Sequence, residues 1–339
     1  MNIPTVTDEG WIRVEETSAV GTARRMVSGI AHGLDFRPSR VAEIEIAVTE
    51  IGTNLVKHAR EGTIVVRTVR GMTEVAVEVL AMDRGPGIDD LRSALRDGAS
   101  STGTLGVGLG AVLRLSDSCD IHSQPGAGTE VAVRFHARRG PIPEMADRTV
   151  AGLTRPIAGE EVCGDAYAVR RNGQRALVMM CDGSGHGPLA ARASAEAVRL
   201  FHAAPDQAPE TVVRMLHDGL RGTRGGAVAV ADLDFAAGRA RFAGLGNIAG
   251  SVLSEGRKQG MVSAPGVAGY QARTIRAFDY PLPPDAVVVL HSDGLTERWS
   301  GERRERLLTE SPLIIAAALL REAATRPDDA GILIAKGRP

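Results

Sequence analysis

The sequence is poor in several things at once, and each scarcity removes a class of function. Aromatic residues make up only 3% of the 339 positions. No basic–aromatic interleaving offers a base-stacking platform for single-stranded nucleic acid. The formal net charge is -1, which argues against a general nucleic-acid or membrane-surface binder. There is no N-terminal apolar signal core and no run of eighteen apolar residues, so the expectation is a soluble, cytoplasmic protein. The three cysteines, Cys119, Cys163 and Cys181, are odd in number and lack metal-ligand spacing. They read as small apolar residues of a reducing compartment. What is present is a 43% hydrophobic content, enough for real cores, in a chain long enough for two domains.

The most informative stretch is 178–187, Val-Met-Met-Cys-Asp-Gly-Ser-Gly-His-Gly. Its apolar run delivers Asp182 to the end of a strand, and a Gly-rich turn then leaves the backbone open to a ligand. The pattern recurs where Val287 to Leu290 lead through His291 and Ser292 to Asp293 and Gly294. Cys163-Gly-Asp165 lies upstream, and Pro327-Asp-Asp-Ala330 lies near the C-terminus. One strand-end Asp-Gly is a turn signal. Four acids beside or inside strands need a common cause, because buried carboxylates repel one another unless cations neutralise them. A two-metal centre meets that need.

The first half has a different grammar. Ala19 to Leu34 reads as a helix. A second opens at Pro38, with an apolar stripe of Val41, Ile44, Val48, Ile51 and Leu55. Glu50 and Asn54 lie one turn apart on another face of it, an arrangement that would otherwise be a solvated surface. Thr63–Val69 and Glu74–Leu80 form an expected hairpin, and the second strand runs on to Asp83, Gly85 and Gly87. Gly106, Gly108 and Gly110 open an apolar helical stretch. They do not follow a strand directly within a βαβ unit, so a dinucleotide-binding loop is set aside. Strands are expected around Cys119–Ser123 and Thr129–Phe135.

Taken in order, these motifs resemble the GHKL ATPases, in the branch of anti-sigma-factor serine kinases. The stretch from Glu50 through Asn54 to His58 resembles the N box. Asp83-x-Gly85-x-Gly87 and Gly106-x-Gly108-x-Gly110 resemble the two glycine boxes, and Gly128-Thr129 the closing pair. The resemblance implies that Asn54 holds Mg²⁺ and that Asp83 accepts a hydrogen bond from adenine. It implies that Gly106, Gly108 and Gly110 let backbone N–H groups approach the phosphates, with Gly85, Gly87 and Thr129 also lining the nucleotide. Glu50 would be the general base for a substrate hydroxyl. Ser93 to Leu105 would be the ATP lid, whose basic residues are few (Arg92 and Arg96 nearby).

From about Val150 onward the chain resembles the SpoIIE-like branch of the metal-dependent PPM serine/threonine phosphatases. That resemblance implies that Asp182 bridges two Mn²⁺ or Mg²⁺ ions. Asp293 and Asp328 would complete one site, and Asp165 with the Gly183 carbonyl the other. Asp329 stands close enough to Asp328 to compete for the assignment. Gly244-Leu-Gly-Asn247 resembles an internal Gly-Asn turn of the family. His186 either donates a proton to the leaving alkoxide or caps the turn before the helix that starts at Pro188.

The expected fold class is α/β, of the α+β type: a GHKL α/β sandwich over residues 1–138, a linker over 139–148, and a PPM-type β-sandwich flanked by helices over 149–339. The expected function is that of a bifunctional regulator in a partner-switching pathway. It would hydrolyse phosphoserine or phosphothreonine on a phosphorylatable STAS-domain protein, an anti-sigma antagonist or stressosome-like component. With ATP and Mg²⁺ in the first domain it would also act as a serine kinase. The alternative is that the first domain senses nucleotide without phosphorylating anything.

Overall fold

A computed structural model describes residues 5–71, 74–95, 108–138, 149–173, 175–296 and 302–337. The chain divides into two compact units, Pro4–Asp147 and, in the main, Arg148–Pro339. Gly106, most of the expected lid and the expected linker fall outside the described residues.

The first unit begins with β1 (Thr5–Arg13), α1 (Thr17–Gly33), α2 (Pro38–His58), β2 (Thr63–Arg70) and β3 (Val75–Met82). Two short helices follow, α3 (Leu91–Ala94) and α4 (Gly108–Leu115), and then β4 (Ser118–Gln124) and β5 (Gly128–His136). The sheet order is β1-β2-β3-β5-β4, with every neighbouring pair antiparallel. The stripe expected on α2 is buried along its length. It packs with Val20, Ala23 and Val27 of α1 against Ile64, Val66, Val77, Val79, Val133 and Phe135 of the sheet. The hairpin strands were expected to alternate, yet β2 and β3 are buried almost continuously. Their second face carries charges that neutralise one another. Arg67 bonds Asp8 at 2.8 Å and Glu78 at 2.9 Å, and Glu78 also takes Arg134 at 2.5 Å.

The second unit opens with β6 (Val150–Arg155), β7 (Asp165–Asn172) and β8 (Arg175–Gly183), then α5 (Pro188–Ala203) and α6 (Pro209–Gly219). Next come β9 (Gly226–Asp234), β10 (Arg239–Leu245), β11 (Ala249–Ser254) and β12 (Arg257–Met261). The stretch 259–280 carries only short strands: the end of β12, β13 (Ser263–Ala264), β14 (Gly266–Val267), β15 (Gln271–Ala272) and the start of β16 (Phe278–Pro281). The chain ends with β17 (Val287–His291), α7 (Glu302–Leu307), α8 (Pro312–Ala323) and β18 (Ala330–Lys336).

Two sheets face each other, β13-β10-β9-β8-β7 with β16 beside β10, and β12-β11-β17-β18-β6. Val178, Met180, Ala229, Phe242, Val288, Leu290 and Leu333 fill the space between them. Leu177, Met179, Val228 and Val230 point the other way, where Phe201 of α5 and Val212 and Leu216 of α6 cover them. Alternate residues of β8 thus serve two cores, which is why its apolar run is unbroken. α8 packs on β6 and β18 at the far side. The result is the expected β-sandwich flanked by helices. Among the described residues no helix is long and apolar enough to cross a membrane.

Candidate functional site

The two sheets of the second unit bring four acids to one end. Asp165 is the first residue of β7 and pairs across the antiparallel ladder with Asp182 of β8, so two like charges stand directly opposite, a destabilising pair by itself. Asp293 follows β17 and Asp328 precedes β18, which are antiparallel neighbours. The sheets are tied together at this end. Gly164 and Ile157 donate their backbone N–H groups to the two oxygens of Asp329, at 2.8 and 2.7 Å. Gly294 must be glycine for a similar reason, since a Cβ there would run into the Asp329 carbonyl.

The electrostatics of the cluster are unfavourable as it stands. Asp165 is 4% exposed, and among the described residues neither carboxylate oxygen has a hydrogen-bond partner of good geometry. Burial, and then the charge of Asp182, push its pKa well above the usual carboxylate range. The Ser292 hydroxyl opposes this only in part. Burial, followed by the charges of Asp293, Asp328 and Asp329, pushes Asp182 up to about 7. An orphaned buried carboxylate opposite a second raised one is what a divalent cation with oxygen ligands would correct. The residues therefore fit such a group, with Asp165, Asp182, Asp293, Asp328 and the Gly183 carbonyl as the candidate holders. Among the described residues no three His, Cys, Asp or Glu side chains yet converge as a closed ligand set.

The geometry separates the two neighbouring acids at the C-terminal end. Both oxygens of buried Asp329 are engaged by backbone donors. Asp328 is partly exposed and gives one oxygen to the Asp329 N–H at 2.9 Å. Asn247, just after β10, donates to Asp293 Oδ2 at 2.7 Å, so the Gly-Asn turn orients an acid of the cluster. His186 is exposed, and its Nδ1 lies 2.8 Å from Glu160 Oε1. It does not cap α5, whose N-cap is Gly187 with no side-chain hydrogen bond. Glu160 was invisible in sequence because it lies 26 residues away. The thiols are unsuited to nucleophilic work. Burial pushes Cys163 and Cys181 far up, and Cys119 up to about 12.

In the first unit the nucleotide motifs also come to neighbouring loops. Glu50 on α2 accepts the Gly108 N–H at 3.3 Å, at the start of α4. Asn54, one turn further, is half-exposed. Asp83 is buried, accepts the Gly85 N–H at 2.6 Å and donates its own N–H to the Thr129 carbonyl at 3.0 Å. The Thr129 hydroxyl lies 2.8 Å from that of Ser123. Gly87 has φ +73, and a Cβ there would collide with the Gln124 carbonyl. Only glycine serves at that position. Gly110 is buried within α4.

Comparison with known proteins assigns the two units separately. Residues 14–135 match the family described as histidine kinase-like ATPase domain, and residues 172–337 match Stage II sporulation protein E (SpoIIE). The serine/threonine-protein kinase RsbT of Bacillus subtilis (strain 168) is 33% identical over 124 residues, 37% of this chain and 93% of RsbT. An anti-sigma F factor of Caldanaerobacter subterraneus subsp. tengcongensis is 31% identical over 123 residues, 34% of this chain and 85% of that protein. Among solved structures, a chain reported under "The bacterial stressosome: a modular system that has been adapted to control secondary messenger signaling" is 28% identical. It superposes with a TM-score of 0.50, over 56% of this chain and 98% of that one. The chain thus belongs, through residues 14–135, to the histidine kinase-like ATPase family alongside RsbT and anti-sigma F factors, and it carries a SpoIIE domain over residues 172–337.

Proposed function

We propose that the protein is a bifunctional regulator of partner switching, with a phosphatase domain over residues 149–339 and an ATP-binding serine kinase domain over residues 1–138. The observation that carries the phosphatase half is the buried Asp165 carboxylate, unpartnered at both oxygens and set opposite Asp182. Two divalent ions, Mn²⁺ or Mg²⁺, would polarise the phosphoryl group and ease deprotonation of a water. The chain's own groups do the rest. Asp165, Asp182, Asp293 and Asp328 hold the charge, while Asp329 ties the loops that carry them. His186, steadied at Nδ1 by Glu160, gives a proton from Nε2 to the departing seryl or threonyl oxygen as its bond to phosphorus breaks. The water oxygen forms the new bond to phosphorus as its proton passes to solvent, solvent returns a proton to His186, and the products are the free hydroxyl and inorganic phosphate.

In the first domain Asn54 would hold Mg²⁺ and Asp83 would receive the adenine amino group. Gly106, Gly108 and Gly110 would present N–H groups to the phosphates. Glu50 would take the proton of the attacking serine hydroxyl. The substrate class is a STAS-domain protein phosphorylated on Ser or Thr. It is supported by the likeness to RsbT and anti-sigma F factors and to a chain from a stressosome structure. A second reading, in which the first domain only senses nucleotide, is favoured by the scarcity of basic residues from Ser93 to Leu105.

Phosphate release from phosphorylated STAS-domain proteins, with Mn²⁺ or Mg²⁺, tests the phosphatase. Asp182→Asn should lower turnover at least about 100-fold, as loss of a shared ligand demands. Full turnover of Asp182→Asn in chelator would sink it. ATP-dependent phosphorylation of the same proteins, abolished in Glu50→Ala with ATP binding retained, separates kinase from sensor.

A further inference from the structure

The loop before β9 mounts an arginine against the Asp182–Gly187 turn. Arg224 is exposed, and its Nη1 lies 3.1 Å from the position a Cβ on Gly185 would occupy. The loop is held from several sides. The Thr223 hydroxyl donates to the Leu220 carbonyl at 2.7 Å and accepts the Gly225 N–H at 2.9 Å. The Tyr270 hydroxyl donates to the Thr223 carbonyl at 3.1 Å. The Gly225 carbonyl accepts the Ser184 N–H at 3.0 Å, which fastens the loop to the turn itself. Gly226 and Ala268 exchange N–H and carbonyl, at 3.2 and 2.8 Å, and so clamp the β14–β15 hairpin to the same point.

The guanidinium has no use in this arrangement. Among the described residues Arg224 has neither an ion pair nor a hydrogen bond. By contrast Arg326, two residues before Asp328, donates to the Asp293 carbonyl at 2.8 Å. Arg221, three residues earlier, pairs with Asp218 at 3.3 Å. An arginine on an anchored loop, beside a hydrolytic turn and without an internal partner, suits an external anion. Its planar fork matches phosphoryl oxygens in a way that a point charge does not.

We propose that Arg224 binds the phosphoryl oxygens of the phosphoserine or phosphothreonine substrate and of the phosphate product. This rests on the phosphatase reading given above. It makes Arg224 a substrate-binding residue that the nucleotide and acid motifs do not include.

The test uses the full chain with Mn²⁺. KM is measured for a phosphorylated STAS-domain protein and for p-nitrophenyl phosphate, together with the inhibition constant of inorganic phosphate. Arg224→Ala should raise all three about tenfold, the equivalent of one lost charge-assisted contact. It should leave kcat within about threefold, the pattern of lost uniform binding. Its Tm and Mn²⁺ affinity should match the wild type. Arg224→Lys should recover part of the loss, and Arg221→Ala should show none of it. Unchanged constants in Arg224→Ala, with Asp182→Asn inactive, would make Arg224 a solvated surface charge and leave the phosphatase reading standing. An equal effect from Arg221→Ala would overturn the assignment too. Wild-type activity in Asp182→Asn would remove the phosphatase reading, and this inference with it.

Discussion

Each unit buries carboxylates in a β-sheet, and the two sheets treat them in opposite ways. Glu78 of β3 is 3% exposed and touches both Arg67 and Arg134. Burial pushes its pKa up, but the two guanidinium groups outweigh that and hold it below the ordinary value. Asp165 of β7 is about as buried, faces another aspartate, and has no ion pair among the described residues. Its pKa is driven upward. A buried charge whose counterion is built into the chain is part of the fold. A buried charge whose counterion must come from outside marks a site, and the price of keeping it is paid in stability.

Substitutions should sharpen this contrast. The largest effect is expected at Glu78→Ala, which takes a buried carboxylate from both Arg67, 2% exposed, and Arg134 and should cost about 3–5 kcal/mol. Denaturant unfolding of the full chain, followed at the transition of the first unit, measures it. Asp165→Asn should act in the reverse direction in metal-free protein. It removes one of two repelling carboxylates and should stabilise the second unit on the order of 1–4 kcal/mol, while abolishing hydrolysis. A destabilised Asp165→Asn in chelator would break the comparison.

The pH dependence should also run oppositely. Glu78 is depressed, so its contribution is present above the ordinary value of about 4.3 and is lost as pH falls through its folded value. Asp182 is raised to about 7. In chelator its contribution is complete only below about 3.9 and is lost as pH rises through about 7. The thermal transition of the second unit should therefore fall between pH 4 and 8 without metal, and this slope should flatten when Mn²⁺ is added. A metal-free slope of the opposite sign would contradict the reading of Asp182.

The smallest expected effect belongs to the nucleotide half. Asp83→Asn should weaken ATP–Mg²⁺ binding about tenfold, since one hydrogen bond to a charged group is lost. Calorimetry on the full chain reads it, and unchanged affinity would remove Asp83 from the adenine site.

Much of this was legible in the residues. The α2 stripe from Val41 to Leu55 and the unbroken run Val178–Cys181 fixed which elements are buried, because period and length state burial directly. The four acids were readable as a group because each stands at a strand end, and Asp165, Asp182 and Asp293 also stand beside glycine. Contacts between distant segments were not legible. Nothing in local pattern pairs Glu160 with His186 or seats Arg224 beside Gly185. Nor does it show that Asp329 accepts from the Ile157 and Gly164 N–H groups, which arrive from another strand connection. The continuous burial of β2 and β3 was also missed, since Arg67 and Glu78 read as solvent-facing until their mutual neutralisation is seen.

The claim at the centre is that the acid cluster of the second unit takes up divalent cations. Mn²⁺ binding to the full chain, measured by equilibrium dialysis without nucleotide and without substrate, addresses it apart from any assay of turnover. The account expects saturable uptake of about two ions per chain in the wild type, and loss of both in Asp182→Asn. Absence of saturable binding, or equal uptake by Asp182→Asn, would contradict it.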